Sequence, residues 1–254
     1  MSYLSLAITL IFVIIPLVLS KTLNLGLEKD TLIATVRSII QLLAVGYVLQ
    51  FVFESEHLIY ILLMIILMIA AATQNARKKG VQIKGITWKL ILTFLTVEIL
   101  TQGILLGLSI TPATAQYIIP ISGMVIGNSM VLSILFLNRF ISEVESKSKD
   151  TELILSLGGT PKQAVHKQLI TSIQASTIPT IESQKTIGLV QLPGMMSGQI
   201  IAGADPLQAV LFQLLILFLL LTTAVVTSIM LGYLSYPTLF NERMQFLKLE
   251  KAKK

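Results

Sequence analysis

The sequence predicts an all-α integral membrane protein with seven transmembrane helices. Its 254 residues are 54% hydrophobic and only 13% charged, whereas about 25% of the residues of an average soluble domain are charged. Several apolar runs reach the length of about 20 residues that a helix needs to cross a bilayer. The basic residues fall in alternate connections between these runs, which is the pattern expected when cytoplasmic loops hold the excess of Lys and Arg.

Seven apolar runs are assigned as spans of one permease domain over residues 1–254. The first has no basic residue before it and Lys21 after it, so we expect a retained anchor rather than a secretory signal. The third is short, and the sixth is interrupted by Pro193, Gly194 and Gly198. The predicted spans are Tyr3–Leu19, Thr31–Phe53, Leu58–Thr73, Trp88–Ser109, Ala113–Leu137, Thr186–Ala204 and Leu207–Tyr236.

The distribution of charge predicts the orientation of these spans. Every basic residue except Arg37 lies on one side, in the connections after the first, third, fifth and seventh spans or, for Lys89, at the adjoining start of the fourth span, and the other connections carry acidic residues and His57. The N-terminus is therefore predicted outside and the C-terminus in the cytoplasm. The basic positions are Lys21, Lys29, Arg77, Lys78, Lys79, Lys84, Lys89, Arg139, Lys147, Lys149, Lys162, Lys167, Lys185, Arg243, Lys248, Lys251, Lys253 and Lys254.

Composition also narrows the function class. The net charge is +6, and the basic residues lie mainly in short loops beside the spans. This placement favours anionic lipid as the partner over nucleic acid, since a nucleic-acid groove needs stacking aromatic residues. Cys is absent and only two His residues occur, so thiolate chemistry is excluded and a zinc hydrolase is not expected. Phosphate-loop, H-E-x-x-H and G-x-S-x-G motifs are also missing. We expect no enzyme and no bound cofactor, so any ATP and Mg²⁺ would be used by another chain.

The connection after the fifth span, about residues 138–185, contains the stretch ELILSLGGTPKQA from Glu152 to Ala164, which has residues typical of helix ends and helix starts. Glycines in its middle favour the left-handed C-terminal cap of one helix. Thr160, Pro161 and Gln163 then form the N-cap, first position and capping box of a second helix, expected to run to about Ser176. The stretch predicts a sharp cytoplasmic corner between spans five and six. These helix-ending and helix-starting residues alone are equally consistent with a simple connection and with a functional corner.

The same corner resembles the E-A-A-x-x-x-G loop of ATP-binding-cassette (ABC) permeases, although Leu153 and Ile154 stand where that loop has alanines. In that family the loop forms a coupling helix that docks in a cleft of the ATPase subunit. The resemblance implies that the corner couples to an ATPase. The residues assigned to this role are Glu152, Leu157, Gly158, Gly159, Thr160, Pro161 and Gln163.

A longer resemblance, to the FetB-type permeases, covers nearly the whole chain. It is carried by LEKD at 27–30, R-x-x-I-Q-L-x-x-V-G-Y-V-L at 37–49, PISGMVIGNSMV at 120–131, SLGGTPKQA at 156–164 and PTIESQKTIGLVQLPGMMSG at 179–198. It implies a permease in the cytoplasmic (inner) membrane that works with a separate ABC ATP-binding subunit, as two copies with two ATPases, and exports iron or a related metal cation. Plant relatives associated with aluminium tolerance leave a nucleotide sugar such as UDP-glucose open as cargo. An ATP-independent secondary transporter is the remaining alternative, and it would give the corner no role.

Polar residues inside the spans are the candidates for the substrate pathway. Glu98 lies near the middle of the fourth span, where a charge is costly; it either contacts a cation or proton or pairs with Gln102 or a Thr. Pro193 and the adjacent glycine predict a broken helix with free carbonyls. The nearby methionines either supply thioether ligands or, as we favour, fill a gap. The assigned residues are Glu98, Asn128, Gln41, Met124, Pro193, Met195 and Met196, and the metal ligands stay unassigned.

Three G-x-x-x-G pairs add a packing prediction. Such pairs let membrane helices approach closely, so tight packing and a homodimer seam are expected at them. They are Gly103 with Gly107, Gly123 with Gly127, and Gly194 with Gly198.

Overall fold

The computed structural model describes residues 9–55 and 57–247, and in these ranges the chain is helical with no β-strand. Five of the helices, α2, α3, α4, α5 and α10, are long and apolar enough to cross a membrane. The helices in the described ranges are α1 (Ile11–Thr22), α2 (Glu28–Ser55), α3 (Leu58–Ala76), α4 (Ile86–Gly107), α5 (Ala115–Ser146), α6 (Ser148–Ser156), α7 (Pro161–Ala164), α8 (His166–Thr186), α9 (Gly194–Ile201) and α10 (Pro206–Ser235), with 3-10 turns at Arg77–Lys79 and Tyr236–Leu239. The predicted all-α membrane class is confirmed.

Five predicted spans coincide with these five long helices within a few residues at most ends. The largest difference is in α5, which continues to Ser146 rather than Leu137. The first predicted span matches the shorter apolar helix α1 in part, and its residues 3–8 lie outside the described residues. Glu56 and Lys248, Lys251, Lys253 and Lys254, used for the orientation, also lie outside them. The count of seven spans and the orientation stay predictions.

The predicted sixth span, Thr186–Ala204, is not a continuous helix. Helix α8 ends at Thr186, Gly188 follows with φ +85°, and α9 begins only after Pro193 and is eight residues long. The start of α9 at Gly194 agrees with the broken helix predicted at Pro193, whereas the turn after Thr186 was not predicted, because hydropathy averaged over the run does not register it. The helix after the corner is also longer than predicted, because α8 reaches Thr186 instead of about Ser176.

The described residues up to His57 form one compact unit, which contains α1 and α2. Ser20 joins the two helices, since its hydroxyl donates to Glu28 Oε1 at 2.8 Å and accepts from the Leu27 amide at 3.2 Å. The most apolar stretch of α2 has none of its residues buried. Its surface is therefore left for lipid or for another helix.

The described residues from Leu58 to Leu247 form the second unit, in which α5 is central and packs against α3, α4, α8 and α10. The core contains Phe94, Phe136, Phe140 and Leu231, each at most 1% exposed. The rings of Phe136 and Phe140 stack with centroids 5.3 Å apart. Close side-chain packing of this kind holds helices together in a membrane, where burial from water contributes little.

Tight helix packing occurs at Gly232 rather than at the predicted glycine pairs. A Cβ at Gly232 would lie 2.7 Å from Leu169 Cδ1 and 3.2 Å from Phe136 Cζ, so α10 approaches α8 and α5 closely there. At Gly123 the nearest atom would be Met68 Cε at 3.7 Å, and the other five paired glycines have nothing within 4 Å. Tight packing at these pairs within the chain is therefore not observed, and a homodimer seam at them stays a prediction.

Candidate functional site

The corner between α6 and α7 has the predicted helix end. Gly158 is left-handed at φ +85°. Its amide donates to Leu155 O at 3.0 Å, and the Gly159 amide donates to Ile154 O at 2.9 Å. This pair of bonds is a Schellman motif, which satisfies two carbonyls at the end of α6. A Cβ at Gly159 would lie 2.5 Å from Ile154 Cγ2 and 2.8 Å from Ile154 O, so the second glycine is required by the close approach of the chain.

The predicted capping box that begins α7 is confirmed. The Gln163 amide donates to Thr160 Oγ1 at 3.4 Å, and the Thr160 amide donates to Gln163 Oε1 at 2.8 Å. Pro161 occupies the first helical position, where its missing N–H costs no hydrogen bond. The chain thus ends one helix at Ser156 and starts the next at Pro161, with local bonds at both ends.

The corner is tied to the helix bundle. Gln168 Nε2 on α8 donates to Thr151 Oγ1 on α6 at 3.2 Å, and both side chains are buried. Val165 is fully buried, and the Lys162 ammonium lies 5.3 Å from the centroid of the Tyr233 ring on α10. By contrast, Leu157 at the apex is 79% exposed. The base of the corner is therefore anchored to α8 and α10, while its apex is exposed.

The residues that follow the last long helix reach the same corner, and sequence reasoning missed this. A groove of about 560 Å³ is lined on one side by Glu152, Leu155 and the two glycines and on the other by Arg243–Phe246. Phe240 and Phe246 form an isolated bridge that folds this segment back. Because the contact joins residues about ninety positions apart, no local pattern indicates it.

Glu98 lies in a buried polar cluster formed by α4 and α5. The Ser122 hydroxyl donates to Glu98 Oε1, and Gln102 Nε2 donates to Ser122 Oγ at 2.9 Å. Glu98 is 5% exposed, and both Glu98 Oε2 and Gln102 Oε1 are buried without a hydrogen-bond partner in the described part of the chain. The structure thus brings Glu98 and Gln102 together through Ser122, and leaves one buried oxygen of each side chain without a donor among the described residues.

A cavity of about 330 Å³ lies among α5, α8 and α10, beside the interrupted segment that ends at Pro193. Asn128 and Pro193, both predicted pathway residues, line it. Helix α8 runs antiparallel to α10 here, since Ser176 bonds to Ser228 at 2.9 Å and Gln184 bonds to Leu217 O at 2.8 Å. The polar side chains around the cavity are Asn128, Thr180, Ser183, Gln184, Gln191 and Gln213.

Sequence reasoning did not single out Gln184, Gln191 or Gln213. Gln213 could have been identified from the sequence, because it is an amide in the middle of the strongly apolar run from Leu207 to Tyr236. A polar side chain in such a run needs a partner or a function. No local pattern distinguishes Gln184 or Gln191, since they flank residues that were predicted to begin a membrane span. Their place at the cavity depends on the break after Thr186.

The remaining predicted pathway residues are dispersed. Met124 and Met195 pack against a small apolar core cluster around Val97 and Val125, and Met196 is partly buried on α9. This packing agrees with the gap-filling interpretation of the methionines. Gln41 lies with Arg37 in a shallow, mainly apolar groove on α2, in the other unit. Among the described residues no group of three or more His, Cys, Asp or Glu side chains could hold a metal ion.

Comparison with known proteins assigns the chain to a family. The sequence profile of UPF0014, described as an uncharacterised protein family, matches residues 3–240. The chain belongs to the UPF0014 family. The predicted resemblance to FetB-type permeases is confirmed by relatives in the same comparison. No solved structure matches the chain.

Three relatives illustrate the range of names within the family. The chain is 56% identical over 250 residues to the Bacillus subtilis (strain 168) UPF0014 membrane protein YjkA, which covers 98% of this chain and 100% of that one. It is 40% identical to the Escherichia coli (strain K12) probable iron export permease protein FetB, over 98% and 96% of the two chains. It is 33% identical to the Arabidopsis thaliana protein ALUMINUM SENSITIVE 3, over 94% and 88%. The chain is thus a multi-pass membrane protein of this family.

Proposed function

We propose that this chain is the membrane subunit of an ABC transporter and that it exports iron or a related metal cation. The observation that carries the proposal is the 40% identity, over 98% of this chain, to a protein named as a probable iron export permease. Transport across the cytoplasmic membrane, rather than catalysis, is then the role of this chain. ATP and Mg²⁺ are used by a separate ATPase subunit.

The corner supports the coupling part of the proposal. An exposed apex at Leu157 stands on a support of buried contacts, among them the bond from Gln168 to Thr151. Such a rigid projection suits a docking site for an ATPase, because movement of the apex must move α8 and α10. Two permeases and two ATPases are the proposed assembly, in which closure of the ATPase pair draws the two corners together and switches the side to which the pathway opens.

The pathway part of the proposal rests on polar groups within the bundle. Glu98 supplies the acidic group for a cation or proton, and the cavity beside Pro193 supplies neutral polar groups. Asn128 lines that cavity, whereas Gln41, Met124, Met195 and Met196 remain pathway candidates on their positions alone.

Reconstitution tests this function directly. Vesicles containing the permease and its ATPase subunit should be offered ferrous ion, other divalent metals and UDP-glucose in parallel, and ATP hydrolysis and cargo movement should be measured. We expect metal to stimulate ATP hydrolysis and to move in an ATP-dependent manner. Stimulation by UDP-glucose without stimulation by metal would mean that the cargo is a nucleotide sugar rather than a metal. Metal movement that is independent of ATP and of the ATPase would show a secondary transporter instead.

A further inference from the structure

The segment at residues 239–247, after the last long helix, folds into a short hairpin. The Leu247 amide donates to Leu239 O at 2.7 Å and closes its base. Asn241 closes its turn, since the Asn241 amide donates to Gln245 O at 3.1 Å and Asn241 Oδ1 accepts from the Gln245 amide at 2.9 Å. The hairpin is therefore held by local bonds, as the corner is.

This hairpin is anchored to the helix bundle beside the corner. Phe240 and Phe246 pack against the larger apolar core. The 3-10 turn that precedes the hairpin contacts α7, and within that turn Thr238 Oγ1 accepts from Lys89 Nζ at the start of α4, at 2.9 Å. Because the groove of about 560 Å³ is lined by both segments, the hairpin and the corner lie on the same side of the bundle.

Met244 at the tip of the hairpin is exposed and held in a strained conformation. Its backbone is left-handed at φ +58°, its amide donates to Asn241 O at 2.9 Å, and the residue is 62% exposed. Left-handed residues other than glycine are uncommon and occur preferentially at functional sites. Leu157, the apex of the corner, is 79% exposed. Two rigid segments outside the long apolar helices thus each present an exposed apolar side chain.

Exposure and charge narrow the class of partner. Exposed apolar side chains outside the membrane spans are typical of protein interfaces, in whose cores methionine is enriched. Charges of both signs lie around the two tips, with Glu152 and Arg243 on opposite walls of the groove. An anionic membrane surface would repel the acidic groups, whereas a soluble protein can complement both signs. One tip fixes only the position of such a partner, and two tips also fix its orientation.

We propose that the hairpin at residues 239–247 is a second docking element for the ATPase subunit, which contacts Met244 and Leu157 together and covers the groove between hairpin and corner. The proposal rests on the coupling function proposed for the corner and deepens it, because it adds a second segment to the same interface. The part of the ATPase that meets Met244 is apolar.

Thiol protection on the full-length permease in inverted vesicles tests the contact. The chain has no cysteine, so Met244→Cys introduces a single thiol, and the ATPase subunit that co-purifies with the permease is the probe. We expect saturating ATPase to prevent maleimide labelling of position 244, as at position 157. Val81→Cys, at a position 67% exposed in the connection between α3 and α4, is the control and should be labelled equally with and without the ATPase.

A glycine variant tests the side chain while keeping the fold. Glycine adopts left-handed backbone readily, so Met244→Gly preserves the hairpin and removes only the exposed tip. It should bind the ATPase about tenfold more weakly, as expected when one apolar side chain is lost from an interface. Ser109→Gly is the matched control, because it makes the same kind of exchange at another exposed left-handed residue, φ +52°, at the opposite end of α4. Its affinity for the ATPase should be unchanged.

The outcomes separate this proposal from the proposed function. Protection of position 157 without protection of position 244, or unchanged binding by Met244→Gly, would overturn the hairpin contact and leave the coupling function of the corner standing. Slow labelling of position 244 in the absence of the ATPase would also overturn it, because the chain itself or a second copy would then cover the tip. Protection of neither position would reject both. Protection of both, without stimulation of ATP hydrolysis by metal, would uphold the hairpin contact and reject metal as the cargo.

Discussion

The corner at Gly158–Pro161 and the interruption between Thr186 and Gly194 contain the same residue types, glycine followed by proline, and produce different structures. At the corner four backbone amides are satisfied locally, two by the Schellman bonds and two by the capping box. At the interruption the chain makes a turn with local bonds to Thr186 O and Gln191 O, but the turn lies beside a cavity whose other polar groups come from three helices. Both segments therefore satisfy backbone groups locally, and they differ in their surroundings: the corner has an exposed apex, whereas the interruption lies against a cavity among three helices.

The largest expected effect comes from breaking the corner. Glu152→Lys combined with insertion of a proline after Leu155 should lower ATP-driven transport about 100-fold, because a proline in a helix interior costs roughly 3 kcal/mol and removes a bond of the last turn. Transport and co-purification with the ATPase are the measurements. Lys149→Gln on the exposed face of α6 is the matched control and should leave both intact. Normal transport by the double variant would show that the corner is only a connection.

A substitution at Gly232, where α10 closely approaches α8 and α5, should give the next largest effect. It tests the packing of α8, the helix that follows the corner, against the bundle. Gly232→Ala should lower the free energy of unfolding by about 1–3 kcal/mol, since the new Cβ overpacks against Leu169 and Phe136. Chemical unfolding in mixed micelles measures this. Gly103→Ala, where nothing lies within 4 Å of the added Cβ, should not destabilise the chain. Equal stability of both variants would contradict the packing described for α10.

A change at Glu98 distinguishes a cargo contact from a structural pair. If the carboxyl attracts a cation, Glu98→Gln should lower metal transport about tenfold, on the scale of a single charge-assisted contact. If it only bonds to Ser122, the amide retains that bond and transport should be unchanged. Initial rates of metal uptake by inverted vesicles decide between the two. Ser122→Ala is the companion variant, and a loss in Ser122→Ala with no loss in Glu98→Gln would favour the structural pair.

The smallest effect is expected at the cap of α7. Thr160→Ala should weaken the local structure by about 1 kcal/mol, detected as faster amide hydrogen exchange at the start of α7. Gln163→Ala and the double variant complete a cycle for the capping box. Because the two side chains bond to each other's backbone, their effects should not be additive. Additive effects would mean that the two bonds form independently.

Most of the fold could be predicted from the sequence, because five long helices coincide with continuous apolar runs whose length is a local property. The corner was predictable for the same reason, since Gly158, Thr160, Pro161 and Gln163 act on their immediate neighbours. The break at Pro193 was predicted, but the turn before it was not, because hydropathy summed over 186–204 ignores Gly188, whose left-handed backbone helps end the helical run before α9.

The candidate site was less accessible to sequence reasoning. Asn128 and Pro193 were identified as unusual residues inside apolar runs, and both line the cavity. Gln184 and Gln213 could not be assigned to it without knowing that α8 lies antiparallel to α10. The contact of Arg243–Phe246 with the corner likewise depends on tertiary structure.

The central claim is that the corner receives an ATPase on the cytoplasmic side, and thiol labelling tests it most directly. The chain has no cysteine, so Leu157→Cys introduces a single thiol at a position that is 79% exposed, and Leu207→Cys introduces one at a position that is 69% exposed. An impermeant maleimide applied to inverted vesicles should label position 157 but not position 207, and binding of the ATPase subunit should protect position 157. Labelling of position 157 only from the opposite side, or at an equal rate with and without the ATPase, would contradict the account.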